Sequence, residues 1–227
     1  MIDYFQENYL IILLTFVIIL IPILYAIIKR YSIRRRSIML LGLSGAGKTY
    51  FFTLLLHNKQ KITYTSIKEN KGIYIANNKQ ILDIIDIPGF EAITYPLIDK
   101  YKSSALGVIF FIDSSQFSKN YRDVANYLYN IIHDKVIYTN QIPFLIICHK
   151  QDSPLAKNST AIRTTLETEF EILKRTNQGN LSHPRALFYK HTDIFSFDKI
   201  KNKIEFVELN NDPVLDNLKA INWLNNL

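Results

Sequence analysis

Apolar positions in this chain come as unbroken runs in some places and as alternating or helical patterns in others. Ser37–Leu41, Ala105–Ile112 (ALGVIFFI) and Pro143–Cys148 (PFLIIC) are short continuous apolar blocks. Such blocks predict strands buried in a parallel sheet covered on both faces. Gly72–Ala76 and Gln80–Ile85 are two further strands separated by the turn Asn77-Asn78, which predicts a hairpin. Another strand is expected at Ile204–Leu209. Helical spacing marks Tyr50–His57, Asn120–Ile132, Ser159–Arg175 and Pro213–Asn226, the last with Asp212 as N-cap and Pro213 at its first position. Asn177–His191 is the least patterned stretch and reads as a loop. Strands alternating with helices predict an α/β fold with a mostly parallel sheet and helices on both faces, whose ligands bind at the carboxyl ends of the strands.

A longer run precedes all of this. Tyr9–Ile28 reads YLIILLTFVIILIPILYAII, twenty residues without a charge. At 1.5 Å per residue, a helix of that length matches the roughly 30 Å hydrocarbon layer of a bilayer. A cleaved signal peptide would have a basic leader and small residues at its end, whereas this leader carries Asp3 and Glu7 and the run closes on Tyr25 and Ile28. The expectation is an uncleaved transmembrane helix at residues 9–28, which Pro22 would kink without preventing insertion. Lys29, Arg30, Arg34, Arg35 and Arg36 follow directly, and basic residues stay on the cytoplasmic side. Residues 1–8 are therefore expected in the lumen, 29–36 as a basic cytosolic linker, and 37–227 as a cytosolic domain. The eight linker residues span at most ~28 Å, so that domain stays at the membrane.

Composition sharpens this picture. A chain of 227 residues that is 48% hydrophobic has room for one globular domain plus an appendage. Its formal charge is +7, but five of those charges belong to the linker cluster. The remainder is close to neutral, which argues against a broad nucleic-acid footprint. Cys148 is the only cysteine and sits in an apolar run, so an internal disulfide is excluded and a buried thiol is expected.

The chemistry begins after the first strand of the domain, at Gly42-Leu43-Ser44-Gly45-Ala46-Gly47-Lys48-Thr49. This is the G-x-x-x-x-G-K-[ST] pattern in its required context of strand, loop and helix. The backbone of Gly42, Ser44, Gly45, Ala46 and Gly47 can turn its N–H groups around phosphate oxygens. Lys48 can reach the β and γ phosphates, and the Thr49 hydroxyl can ligate Mg²⁺. The loop alone leaves ATPases, kinases and GTPases open.

Later residues narrow the choice. Asp86-Ile87-Pro88-Gly89, at the end of a strand, resembles the D-x-x-G of small GTPases, in which the aspartate meets Mg²⁺ through water and the glycine N–H touches the γ phosphate. His149-Lys150-Gln151-Asp152 resembles the N-K-x-D guanine motif. Its carboxylate would accept both hydrogens from N1 and N2 of guanine, a pairing that adenine cannot offer. His149 replaces the usual asparagine, so guanine preference is expected to survive without the usual tether to the phosphate loop.

Taken in order, these stretches resemble the family of signal recognition particle receptor beta subunits, membrane-anchored relatives of the Arf and Sar GTPases. Thr63-Tyr64-Thr65-Ser66-Ile67, Tyr101-Lys102-Ser103-Ser104-Ala105, Phe111-Ile112-Asp113-Ser114 and Phe195-Ser196-Phe197 add to the resemblance. So do Asp123-Val124-Ala125 and Tyr127-Leu128-Tyr129. It implies GTP and Mg²⁺ as ligands, with Thr65 as the first-switch threonine that reaches Mg²⁺ and the γ phosphate, a role that Thr63 is near enough to contest. It implies a final guanine-contacting loop at Leu209-Asn210-Asn211, where Asn210 departs from the family's serine-alanine pattern. Phe90 stands where related GTPases place a glutamine or histidine to orient water, with Glu91 behind it. Phenylalanine can neither donate nor accept there, so hydrolysis is expected to be slow or partner-dependent.

The resemblance implies a single-pass protein of the endoplasmic reticulum membrane that holds the receptor's alpha subunit, with ribosome or translocon as neighbours and no direct nucleic-acid contact. A different class of function, a cycling Arf/Sar-like GTPase that recruits coat or tether proteins, shares most of these motifs. Arf and Sar types attach by a reversible amphipathic helix, however, whereas the run at 9–28 predicts a permanent span. An ATP-dependent transport protein is the third alternative, since fold alone does not determine function.

Overall fold

The computed structural model describes residues 13–25, 35–57, 68–178, 194–210 and 215–227. The chain divides into two compact units, Met1–Arg35 and Arg36–Leu227. In the first, residues 13–25 form helix α1, and its large apolar side chains are solvent-exposed. The rest of the expected 9–28 span lies outside the described residues. Among the described residues no helix is long and apolar enough to cross a membrane.

The second unit runs β1 (Ser37–Gly42), α2 (Lys48–His57), β2 (Asn70–Ile75), β3 (Ile81–Asp86), α3 (Glu91–Tyr101), β4 (Ala105–Asp113) and α4 (Phe117–Ile132). It continues with α5 (Lys135–Thr139), β5 (Phe144–His149), α6 (Ser159–Gln178), β6 (Ile204–Glu208) and α7 (Leu215–Asn225). The six strands are ordered β2-β3-β1-β4-β5-β6. All neighbours are parallel except the β2–β3 pair, which is antiparallel.

Alternation along each central strand sends side chains to two separate cores, which is why these strands read as unbroken apolar runs. Met39, Leu41, Val108, Phe110, Ile112, Phe144 and Ile146 face one side, where Leu97 and Ile98 of α3, Leu128 and Ile132 of α4, and Ile162 and Phe170 of α6 cover them. Ile38, Leu40, Ile109, Phe111, Leu145 and Ile147 face the other, under Phe51 and Phe52 of α2 and Ala220, Trp223 and Leu224 of α7. Cys148 is buried, and burial, with the Glu208 charge added, pushes its thiol up to about 12.

Several predicted elements are longer than expected. The helix expected from Tyr50 starts at Lys48, α4 starts at Phe117, and α6 runs on to Gln178, past the expected loop start at Asn177. The proposed Asp212–Pro213 cap and most of the 177–191 loop lie outside the described residues. Helix α3 escaped prediction because Pro96 sits inside it and reads as a breaker. The hairpin is present, with residues 77–79 between Ala76 and Gln80 as the expected strand bounds leave them. Ala76 closes it from both sides, its N–H donating to the Gln80 carbonyl (2.9 Å) and its carbonyl accepting from the Lys79 N–H (2.9 Å). The loop is therefore three residues, Asn77 to Lys79, with Lys79 at φ +64. That loop length sets the register in which Asn70 faces Asp86 and Ile75 faces Ile81.

Candidate nucleotide-binding site

The phosphate loop leaves β1 at its carboxyl end. Gly42 has φ +135, and a Cβ there would run into the Phe111 carbonyl on the neighbouring strand. Only glycine fits this exit. Ser44 and Gly45 lie exposed at the loop tip, Ala46 is buried beneath it, and Gly47 at φ +101 leads into α2, whose Phe51 N–H donates to the Gly47 carbonyl at 3.0 Å. Lys48 is buried and its ammonium donates to the Gly42 and Leu43 carbonyls, each at 2.8 Å. Burial pulls this lysine down to about 8, against the opposing pull of the Asp86 carboxylate. A buried cation held across the mouth of a loop rich in N–H groups is suited to a polyanion.

Asp86 ends β3 beside that loop and is only 1% exposed. Its Oδ2 accepts from the Thr49 hydroxyl at 2.8 Å and from the Asn70 side-chain amide at 2.9 Å. Its Oδ1 is buried with no hydrogen-bond partner. An orphaned carboxylate oxygen next to a hydroxyl is a hard-oxygen donor set that fits Mg²⁺, which takes one or two protein oxygens and completes its shell with phosphates and water. Among the described residues no cluster of three His, Cys, Asp or Glu side chains exists that could hold a metal without such help. Thr65 and Thr63 lie outside the described residues. Asn70 was not foreseen from the sequence, because the strand was expected to begin at Gly72 and instead begins at Asn70, opposite Asp86.

Gly89 packs so closely on the phosphate loop that an added Cβ would lie 2.5 Å from the Ser44 nitrogen. The turn carrying it is held by Thr94, a second residue unnoticed in the sequence. Its buried hydroxyl contacts the Pro88 carbonyl at 2.6 Å and the Phe90 carbonyl at 2.9 Å. Phe90 itself caps α3 with its ring 63% exposed, and Glu91 begins the helix on the surface. Next to this turn is a cavity of about 370 Å³ lined by Leu43, Gly89, Thr94, Tyr95, Asp123 and Tyr127 among others.

The base-side motif follows β5. His149 is buried, and its ring lies against Gly47, where an added Cβ would be 2.7 Å from Nδ1. That Nδ1 has no hydrogen-bond partner, so the ring packs on the phosphate loop without tethering it. Burial, then the Lys150 charge, lowers the imidazole from its ordinary value, while Asp113 and Asp152 oppose the shift. Lys150 adopts φ +63, and its ammonium meets the Asp113 carboxylate at 2.6 Å. Burial pushes Asp113 up, but Lys150 and Ser115 outweigh it and hold the carboxyl below its usual range. Asp152 stands exposed on the same loop. The Gln151 N–H donates to the Leu209 carbonyl (3.2 Å) and the Leu209 N–H to the Cys148 carbonyl (3.0 Å), which draws exposed Asn210 toward this motif. Asn211 lies outside the described residues.

Phosphate loop, Asp86, Gly89 and the His149–Asp152 loop thus all gather at the carboxyl ends of β1, β3 and β5. The profile of the signal recognition particle receptor beta subunit matches residues 33–204. The chain belongs to this family. The mouse signal recognition particle receptor subunit beta is 35% identical over 77% of this chain and 68% of its own length. The human one is 32% identical over 84% of the chain and 73% of its own length. Among solved structures, that of the mammalian SRP receptor matches with a TM-score of 0.76 and 34% identity, covering 84% of this chain and 99% of that one. The Chaetomium thermophilum SRb-GTP/SRX complex matches with a TM-score of 0.64 at 20% identity over 84% of this chain and 97% of that one, a likeness of fold. The family placement and the α/β small-GTPase architecture agree.

Proposed function

We propose that the chain is a membrane-anchored, GTP-binding receptor subunit that holds the alpha subunit of the signal recognition particle receptor at the endoplasmic reticulum for co-translational targeting. The observation that carries this reading is the Asp86 centre. A buried carboxylate oxygen without a partner, beside the Thr49 hydroxyl and the Lys48 ammonium, is what a Mg²⁺-bound triphosphate would satisfy. Gly42, Ser44, Gly45, Ala46 and Gly47 would present backbone N–H groups, and Thr49, Asp86 and Thr65 would hold the metal. Gly89 would meet the γ phosphate, and His149, Lys150, Asp152 and Asn210 would frame guanine. A bound nucleotide would supply charge to the loops carrying Thr65 and Gly89, and those two loops would form the docking surface.

Phe90 supports a holding role over a cycling one, because an exposed ring cannot orient water. The uncharged run 9–28, the five cations after it and the exposed apolar side chains of α1 support a single-pass anchor with the larger unit in the cytosol. The direct test is to purify the full chain in detergent, denature it and identify the released nucleotide by chromatography, before and after long incubation with Mg²⁺. Retained GTP is expected. Full conversion to GDP would transfer the balance to a cycling GTPase, and recovery of ATP would remove the guanine assignment.

A further inference from the structure

Strand β2 is the edge of the sheet, and its side chains alternate between a packed and an open face. On the open face Ile73 and Ile75 are 66% and 65% exposed, and Ile81 of β3, directly opposite Ile75, is 51% exposed. An apolar trio on an edge strand is a liability unless something covers it. The acid beside it is already neutralised, since Asp83, opposite Ile73, meets the Arg36 guanidinium at 2.7 Å. Lys79 stands exposed at the hairpin tip.

The trio has a defined place in the fold. Ser37, the first residue of β1, pairs with Asp83, so the chain enters the sheet next to these isoleucines. Ile81 lies about 16 Å along β3 from Asp86, toward the end of the sheet opposite the candidate nucleotide site. Only eight residues separate Ser37 from the uncharged run 9–28, a reach of at most ~28 Å.

We infer that the open face of the β2–β3 hairpin is a lipid-contact surface, with Ile73, Ile75 and Ile81 seated in the headgroup region of the bilayer and Lys79 beside anionic lipid. Apolar side chains with a cation at their rim are the composition that an anionic membrane surface retains. The contact rests on the membrane-anchor reading, and it would fix the tilt of the domain so that its nucleotide end points away from the bilayer.

The test uses the full chain in phosphatidylcholine vesicles containing phosphatidylserine. An environment-sensitive fluorophore is attached at Ile75→Cys and, separately, at Thr164→Cys, an exposed site on α6; native Cys148 is buried and stays unlabelled. The expected result is a blue-shifted emission at position 75, quenched by nitroxide-bearing lipid, and water-like emission at 164. Lys79→Glu should weaken the quenching. Alkaline carbonate extraction of the same vesicles checks the anchor: a chain that washes off removes the anchor reading and this one with it. A chain that stays while position 75 is as water-like as 164 overturns the lipid contact alone. Emission at 75 that shifts only on adding the alpha subunit, or only as protein density rises at constant lipid, gives the face to a protein partner and equally overturns it.

Discussion

At Asp86 one carboxylate oxygen is engaged by Thr49 and Asn70 while the other is buried and unpartnered. Asp86→Asn keeps the volume and removes the charge. Nucleotide affinity in Mg²⁺ should fall about tenfold to a hundredfold, from the roughly 1.5–3 kcal/mol of a charged contact, and the loss should vanish in chelator. Titration with a fluorescent guanine nucleotide under both conditions reads this. His149 gives a pH prediction. Because its folded-state pKa is lowered, chiefly by burial, the unfolded chain binds a proton first as pH falls. The stability linked to His149 is thus complete above about 6.5, the unfolded value, and is lost as pH drops below it. Denaturation midpoints between neutral and mildly acidic pH should show that limb, and His149→Asn should flatten it. The same variant restores an amide that can reach the phosphate loop. Nucleotide release should slow about fivefold, as expected for roughly 1 kcal/mol from one added hydrogen bond.

At the scale of elements, the turn that carries Gly89 depends on Thr94, a residue of α3. Thr94→Val keeps the shape and removes the hydroxyl contacts to the Pro88 and Phe90 carbonyls. The cost should be about 1–2 kcal/mol, seen as a lower denaturant midpoint, with faster amide exchange around 88–90 than elsewhere. The sequence hid α3 behind Pro96, which sits mid-helix and removes one helix hydrogen bond, while Leu97 and Ile98 beside it pack into the core. The expected strand bounds already set the hairpin register, since they leave residues 77–79 between Ala76 and Gln80, but not which side chains meet across it. One residue of loop decides which residue of β2 lies opposite Asp86, and so whether Asn70 reaches the candidate metal centre.

At the scale of the molecule, the proposed function couples one end of the sheet to a partner. Lys48→Ala removes the buried cation at the loop mouth, so nucleotide binding and capture of the alpha subunit should be lost together. Pull-down at full strength with no bound nucleotide would separate the two and end the nucleotide-gated account. The unbroken apolar runs, the phosphate-loop pattern, Asp86–Gly89 and His149–Asp152 were all legible along the chain, because each is a local arrangement of residue types whose order alone implies a strand, a tight loop or a set of donors. The sequence by itself determined the α/β architecture, the family and the residues proposed to face a nucleotide. Only the tertiary structure decided that Asn70 and Thr94 support the site, that His149 packs on Gly47 without a hydrogen bond, and that an isoleucine face stands open at the far end of the sheet. Those are properties of pairs distant in the chain, set by strand register and by which helix covers which face, and no local pattern encodes them.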